Sequence, residues 1–503
     1  MERATTQEIP ESQSGRQEGV RNDQYPTSDL QQGIVGWESQ EDPQNPKNFA
    51  YHRKLTLLGF VSFVSFLSSL ASSITAPGAQ AMSDELGNKS SALRSFATSI
   101  YVLGLAFGPL VLSPLSEIYG RRPVLNLANL WLSIWQIPCA RANRIGSLIA
   151  FRFLAGAGGA ASLTLGGGLI SDMFEMEQRG IANSIFSVGP LFGPVLGPIL
   201  GGFISERAGW RWVYWVLLAA CSTLTLTVLL FSRETNHVVL LGNKAKKLRA
   251  TLGRDDLVSV YDISTPSTSR RELAIFAAGI IKPFQFITLS PIVPLLAVYM
   301  AFVFGLLYLL LTTVTSVFRD TYGWPLQICG LAYLGLGLGF VAGLIVTAWT
   351  SDATVIRLTK SNGGKYKPEM RLAPSIFFAL FVPISFFWYG WATDQQTHWI
   401  VPILGLAPFG FGMMGIFASI QTYFIDISGH YSASILAALT TVRCIFGCFL
   451  PLAGPQMYAS LGLGWGNSLL GFLGLVLIPA PLVIYRFGGG LREKYPLMLG
   501  EGR

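Results

Sequence analysis

Charge is what this chain has least of. Aspartate, glutamate, lysine and arginine make up 13% of its 503 residues, against about 25% in ordinary soluble domains. No carboxylate stands in the middle of a long apolar run; Glu117, Asp172 and Asp426 lie only at run ends. The four histidines (His52, His237, His398, His430) fall in terminal or loop segments, which excludes a histidine relay inside those runs. Five cysteines (Cys139, Cys221, Cys329, Cys444, Cys448) are scattered through apolar sequence, odd in number and without metal spacing. They read as small apolar side chains, so no disulfide framework and no metal site is expected. The chain has no HExxH, no Walker lysine loop and no Ser/His/Asp arrangement. An enzyme is therefore not expected, no cofactor is implied, and direct ATP drive is excluded in favour of an ion gradient. Gly335, Gly337 and Gly339 are no nucleotide fingerprint, because no strand precedes them; Gly335, Gly339 and Gly343 form a helix-packing ladder instead.

What the chain has in abundance is apolar length. Runs of 18 or more apolar residues are candidate membrane spans, and twelve are counted: 55–75, 95–115, 123–140, 146–170, 181–204, 212–232, 292–317, 328–350, 373–391, 399–421, 433–455 and 464–486. An all-α membrane protein of two six-helix bundles follows. Residues 1–53 form a polar tail without a cleavable signal and are expected to be disordered. The bundles occupy 54–232 and 292–487, joined by a linker over 233–291, with a short tail over 488–503. The net charge of +8 is no nucleic-acid signature once placed. With the N-terminus inside, 27 of the 36 lysines and arginines lie on the inner side and seven outside, which orients both termini to the cytoplasm. The linker's Lys244, Lys246, Lys247, Arg249, Arg254, Arg270 and Arg271 read either as attraction to the anionic inner leaflet or as a solvated connection. Asp172 and Asp426 follow equivalent spans of the two halves, a trace of internal duplication.

The fifth span reads GPLFGPVLGPILGG. Gly189, Gly193, Gly197 and Gly201 share one helix face, with Pro190, Pro194 and Pro198 on the adjoining strip and Gly202 beside them. In water each interior proline would cost about 3 kcal/mol and each glycine about 1. Neighbouring helices in a bilayer re-satisfy the freed backbone, so the glycine face is expected to press against another helix. The inner loop SPLSEIYGRR, Ser113–Arg122, turns at Gly120 and sets Glu117 against Arg121 and Arg122 at helix ends, a latch expected to break as the halves separate, or a plain positive-inside anchor. Its counterpart after the eighth span, SDATVIRL at Ser351–Leu358, is degraded.

Two arginines, Arg152 and Arg443, lie within spans without a buried carboxylate nearby. Each is expected to bind backbone carbonyls and water, or an anionic group of a substrate. In the first span Ser62, Ser65, Ser69 and Ser72 follow one face; with Tyr308, Tyr333 and Gln421 they are candidate cavity residues, interhelical bonding being the alternative. Phe302, Phe304, Phe386 and Phe387 are candidates for stacking on an apolar ligand. Asn88-Lys89-Ser90 is an N-glycosylation sequon in the expected outer loop.

These motifs resemble a known family. SPLSEIYGRR is similar to the loop signature between the second and third spans of the major facilitator superfamily, RFLAGAGGA (Arg152–Ala160) to its fourth-span motif, and the Gly-Pro ladder to its antiporter motif. Val35–Phe49, Trp210–Trp215 and Pro368–Phe378 look fungal in style. Ser113, Glu117, Ile118 and Ala155 depart from the usual residues, Ala155 removing a polar group beside Arg152. The resemblance implies a monomeric twelve-span drug:proton antiporter of the fungal plasma membrane, the vacuolar membrane being the alternative. Its partners would be protons, the bilayer and a small organic substrate such as a secondary metabolite or toxin, with Arg152, Arg443 and Asp172 in transport and coupling. Uptake by symport and a transport-dead sensor are the alternatives on the same fold.

Overall fold

A computed structural model describes residues 25–175, 178–261, 268–428 and 432–495. The outer parts of both expected tails, 1–24 and 496–503, lie outside the described residues, as do His430 and the side chains of Arg270 and Arg271. The chain is helical almost throughout. The first six spans are α1 (Tyr51–Ser73), α3 (Ser91–Tyr119), α4 (Arg121–Ala140), α5 (Ile145–Met173), α6 (Arg179–Ala208) and α7 (Trp210–Phe231), with a short α2 (Ala79–Glu85) after the first. Two linker helices follow, α8 (His237–Leu252) and α9 (Thr268–Leu289). The second half contains α10 (Ile292–Tyr322), α11 (Leu326–Cys329) leading into α12 (Tyr333–Ser361), α13 (Ala373–Ala379), α14 (Phe381–Asp394), α15 (Ile400–Gly405), α16 (Ala407–Ser428), α17 (Ser432–Leu477) and α18 (Pro479–Lys494).

Ten of these helical stretches are long and apolar enough to cross a membrane. Twelve crossings are recovered from them by two particulars. The 61-residue stretch Ser434–Lys494 holds two spans, because Gly462 at φ +72° breaks the helix in its interior. The other particular is α4, which falls short of the apolar threshold because Asn126, Asn129, Ser133 and Gln136 are turned inward along one side. Four expected spans are broken rather than continuous: α11 passes through a 3-10 turn at Gly330–Ala332 into α12, α13 gives way to α14 at Leu380, shortly before Pro383, α15 stops at Leu406, and α17 gives way to α18 at Pro479.

Pairings repeat between the halves. Gly104 and Gly156 bring the backbones of α3 and α5 together, as Gly335, Gly339 and Gly410 do for α12 against α15 and α16. Across the halves α3 lies along α17, where Ser99 donates to the Cys448 carbonyl at 2.7 Å and Thr441 to that of Ala106 at 3.3 Å. At the end of the molecule away from the linker, α6 meets the Leu326–Ala332 stretch. A Cβ on Gly202 would stand 2.8 Å from the Leu326 carbonyl oxygen, and one on Gly330 would stand 2.6 Å from the Ile199 Cα.

The N-terminal segment is a correction. Disorder as far as residue 53 does not hold for residues 25–50. Ile34–Val35 (β1) pairs in parallel with Val258–Ser259 (β2) beyond α8. Trp37 is 1% exposed and meets the His237 ring edge-on at 5.8 Å. Lys244 of α8 pairs with Glu38 at 3.3 Å and Asp42 at 3.7 Å, so this linker cation is committed to the segment. Tyr25 donates to Glu175 at 2.6 Å, and Lys47 stands 3.6 Å from the same carboxylate. The Tyr25 hydrogen bond first, and then Lys47, hold the Glu175 carboxyl below its usual range. The physical reason for the order is burial: a tryptophan side chain removed from water contributes on the order of 2–3 kcal/mol, enough to fix a short polar stretch that periodicity alone leaves unassigned.

Candidate transport site

The glycine face of α6 lies on α1. A Cβ at Gly193 would sit 2.5 Å from the Ser69 Cβ and 2.7 Å from the Leu70 nitrogen; Gly189 faces Ser62, Gly197 faces Ser73, and Gly201 faces the Ile74 carbonyl. Pro190 has no N–H to offer the carbonyl of Phe186 one turn back. That carbonyl instead accepts from Ser62 Oγ at 3.2 Å. Here a neighbouring helix restores what proline removed, which is how such a helix persists in lipid.

The serine face of α1 divides in two. Ser62 and Ser69 turn to α6, and Ser69 is packed against Gly193, so it is a helix contact and not a cavity residue. The correction comes from the helical repeat: at 100° per residue Ser65 and Ser72 fall about 60° round from Ser62 and Ser69, and Ser68 about 110° round. On that side Ser68 donates to the Gly159 carbonyl at 2.7 Å and lies 3.2 Å from the Tyr101 hydroxyl. Ser72 meets the Tyr308 hydroxyl of the opposite half at 2.9 Å. Ser65 is wholly buried, and its hydroxyl has no partner among the described residues. Tyr333 is spent within the second half, donating to the Leu311 carbonyl at 3.0 Å and lying 3.1 Å from Thr315 Oγ1. Gln421 is half-buried in α16, with no side-chain hydrogen bond among the described residues. Ser72 and Tyr308 are thus the two candidates that meet between the halves.

Arg152 is 2% exposed. It donates to the Thr98 carbonyl at 2.9 Å and to the Tyr214 hydroxyl at 3.4 Å, with the rings of Tyr101 and Tyr214 5.7 and 6.0 Å from its guanidinium carbon. Its Nε has no partner among the described residues. The expected backbone-carbonyl contact is present, with aromatic faces added. Arg443 lies over Phe304 at 5.2 Å and Phe417 at 5.8 Å, and its Nε is likewise unpartnered among the described residues. Phe304 in turn packs against Tyr308, the rings tilted and their centroids 5.1 Å apart. Arg443, Phe304, Phe417, Tyr308 and Ser72 therefore form one group at the meeting of the halves. Phe386, by contrast, meets Phe409 edge-on within the second half, and Phe387 meets Phe472 in the same way.

At the linker end, Arg121 Nε is 3.4 Å from Asp172 Oδ2, and its Nη1 donates to Ser116 at 2.6 Å. The carboxylate that holds the turn is not Glu117, which is exposed and without an ion pair among the described residues. It is Glu234, just beyond α7, which accepts from the backbone nitrogens of Arg121 at 2.8 Å and Arg122 at 3.1 Å. An anion at the first turn of α4 complements the helix dipole. Gly120, at φ +102°, leaves the space this carboxylate fills. Arg122 reaches the Leu229 carbonyl at 2.8 Å. These partners come from the first half and, in Glu234, from the start of the linker, so the cluster seen here ties the end of the first half together without a contact to the second half among the described residues.

The second half repeats the arrangement from different sequence. Arg371, just before α13, pairs with Asp426 at 3.1 Å and with Asp352 at 2.6 Å. Sequence comparison of the halves locates only the degraded loop around Asp352; the arginine comes from the Pro368–Phe378 stretch and stands where Arg121 stands in the first half. Sequence reasoning misses Glu234, Arg371, Thr98 and Tyr214; of these Arg371 and Tyr214, each inside a stretch already singled out, carry a signal.

At the opposite end Glu85 of α2 accepts from the Trp210 indole at 2.6 Å and pairs with Arg211 at 2.9 Å. The indole first, and Arg211 after it, hold the Glu85 carboxyl below its usual range. A depressed carboxyl favours the folded state above the ordinary value of 4.5 and loses that contribution as pH falls through the folded value. The melting temperature of Glu85→Gln should accordingly lie below wild type near neutral pH, and the gap should close on acidification. A gap constant with pH would remove Glu85 from this role. Nearby, Asn88 lies three residues before α3 begins; its Nδ2, the atom a glycan would take, donates to Ser83 Oγ and the Ser90 carbonyl, both at 2.8 Å.

Comparison with known proteins agrees with this architecture. The sequence pattern of the Major Facilitator Superfamily matches residues 61–451. The chain is 44% identical over 461 residues to the MFS-type transporter penM of Penicillium rubens, covering 92% of this chain and 90% of that one. It is 40% identical over 461 residues to the efflux pump radE of Floropilus chiversii, covering 92% and 85%. Among solved structures, the partially occluded inward-open xylose transporter XylE from E. coli superposes with a TM-score of 0.64 at 15% identity, over 87% of this chain and 98% of that one. With twelve crossings in two matching halves and relatives that are transporters rather than enzymes, this is a multi-pass integral membrane transporter, and the chain belongs to the Major Facilitator Superfamily.

Proposed function

We propose that the protein is a secondary active exporter that moves a small organic molecule out of the cell by proton antiport with alternating access. The observation that carries this reading is the Gly-Pro face of α6 seated on α1, the motif that resembles that of antiporters. The similarity to an efflux pump supports the direction. In this reading the Arg121–Asp172–Glu234 and Arg371–Asp352–Asp426 clusters keep the ends of each half rigid, so that the halves rock as bodies. Arg152, Arg443 and Asp172 act in transport and coupling, and the Ser72–Tyr308 and Phe304–Arg443 group meets the substrate. The plasma membrane is the proposed location, with both termini in the cytoplasm and Asn88 outside, where it takes a glycan.

Intracellular accumulation tests the function. Cells lacking the gene should retain a compound that the parent strain releases, and a protonophore should make the parent retain it too. Release that survives the protonophore would contradict proton drive, and depletion of the compound from the medium by the parent would contradict export. Orientation is tested separately: tags at residue 250 and at the C-terminus should be labelled only after permeabilisation, and labelling of intact cells would reverse the topology.

A further inference from the structure

The inner side of α4 is polar and, unlike the serine-lined side of α1, carries three amides. Asn126, Asn129, Ser133 and Gln136 are all buried, at intervals of three, four and three residues, which puts them on one strip about 15 Å long at 1.5 Å per residue. The neighbouring face, with Leu127, Leu130, Trp131, Ile134 and Ile137, is exposed and apolar. Polar residues inside a membrane bundle ordinarily bond across to another helix. These do not. Ser133 donates to the Asn129 carbonyl and Gln136 to that of Leu132, both on α4 itself. Asn126 Oδ1 and Asn129 Nδ2 have no partner among the described residues. An orphaned amide away from water costs about 1–3 kcal/mol, and four polar groups in a row serve no packing purpose that alanine would not.

A void of about 10 Å³ adjoins Asn129, bounded by Val64 and Leu67 of α1, Leu132, and Cys221, Leu224 and Thr225 of α7. That is close to the space one water needs. Because α4 and α7 are neighbours running in opposite directions, the level of Asn129 with Cys221 fixes the rest. Two turns further along, Gln136 comes level with Tyr214, which holds Arg152. In the other direction, beyond Asn126, the strip continues to Arg122 at the first turn of α4, next in sequence to Arg121, which pairs with Asp172.

We propose that the polar side of α4 is a water-holding seam within the first half and the route of the coupling proton, closed at its far end by Arg152. The proton passes between waters and is taken up or released at the Asp172 end; the amides and the hydroxyl orient those waters and keep their own protons. Arg152 supplies a fixed positive charge that bars protons from running through, as a pore arginine does. The inference rests on the proposed proton coupling, but its tests need no substrate.

In proteoliposomes carrying an internal pH dye and a potassium-clamped potential, Arg152→Gln should admit protons several-fold faster than wild type. Adding Asn129→Leu, which fills the void, should return the rate to the wild-type level. A leak no greater than wild type, or one that Asn129→Leu leaves in place, overturns the route. A second measurement leaves the seam intact. With Cys139, Cys329, Cys444 and Cys448 replaced by alanine, Cys221 should react with a small methanethiosulfonate, which requires a hydrated thiolate, faster than a cysteine placed at lipid-facing Leu230. Equal or slower reaction at Cys221 overturns the seam itself. Failure of protonophore-sensitive export with both of these results positive would instead count against the proposed function alone.

Discussion

Gly193→Leu and Gly197→Leu should each abolish transport, with the larger part of the protein retained inside the cell or recovered unfolded. The Ser69 Cβ lies 2.5 Å from where the first carbon of a side chain at residue 193 would stand, and the Leu70 backbone is 2.7 Å away. Neither can yield as a flexible side chain would. Overpacking of this kind costs about 1–3 kcal/mol where neighbours can adjust, and more where the obstacle is backbone. Gly193→Ala should be the milder of the two changes at this position and still impair transport. Surface quantity and transport of the purified variants separate misassembly from jamming. Leucine variants that assemble and transport normally would mean that α1 and α6 separate at this face in the working protein.

The second large effect concerns Arg152. Alanine in its place should eliminate export while melting temperature stays level or rises. A buried guanidinium that meets the Thr98 carbonyl, Tyr214 and the Tyr101 ring but no carboxylate among the described residues keeps an uncompensated charge in the bundle, and a charge at such depth costs from about 2.5 to more than 10 kcal/mol depending on the reference. A residue retained for stability would show the opposite sign. Lysine should restore part of the activity, because its single ammonium cannot span carbonyl and hydroxyl as the planar fork does. Full transport in the alanine variant would confine Arg152 to packing, and a marked fall in melting temperature would make its role structural.

Much of this molecule was legible in the sequence because bilayer physics writes it in long-range composition. Twelve crossings could be counted, and the close face of α6 was correct to the residue, since only backbone contact makes glycine at every fourth position useful. The broken spans were harder. A proline can be seen in the sequence, but whether its helix continues past it depends on neighbours that the sequence does not place. The serine face of α1 shows the limit of spacing arguments: intervals of three and four admit two strips about 60° apart, and only the packing of Ser69 on Gly193 separates them. Residues 25–50 were missed for another reason. Their partners, Val258, His237 and Lys244, lie some two hundred residues away, and nothing local in a polar segment announces a distant strand. Glu234 was hidden in the same way, a lone carboxylate past the end of α7 whose meaning depends on the turn at Gly120.

The most direct measurement of proton-driven export uses everted membrane vesicles from cells producing the protein. A preformed proton gradient, acid inside, is followed by acridine orange, and the compound found to accumulate in gene-deleted cells is added outside. Wild-type vesicles should take up the compound and release protons, so that dye fluorescence recovers on its addition, whereas vesicles bearing Arg152→Ala should take up none and show no recovery that depends on adding the compound. Uptake of the compound by wild-type vesicles without recovery of fluorescence, or with a deepened quench, would contradict the account.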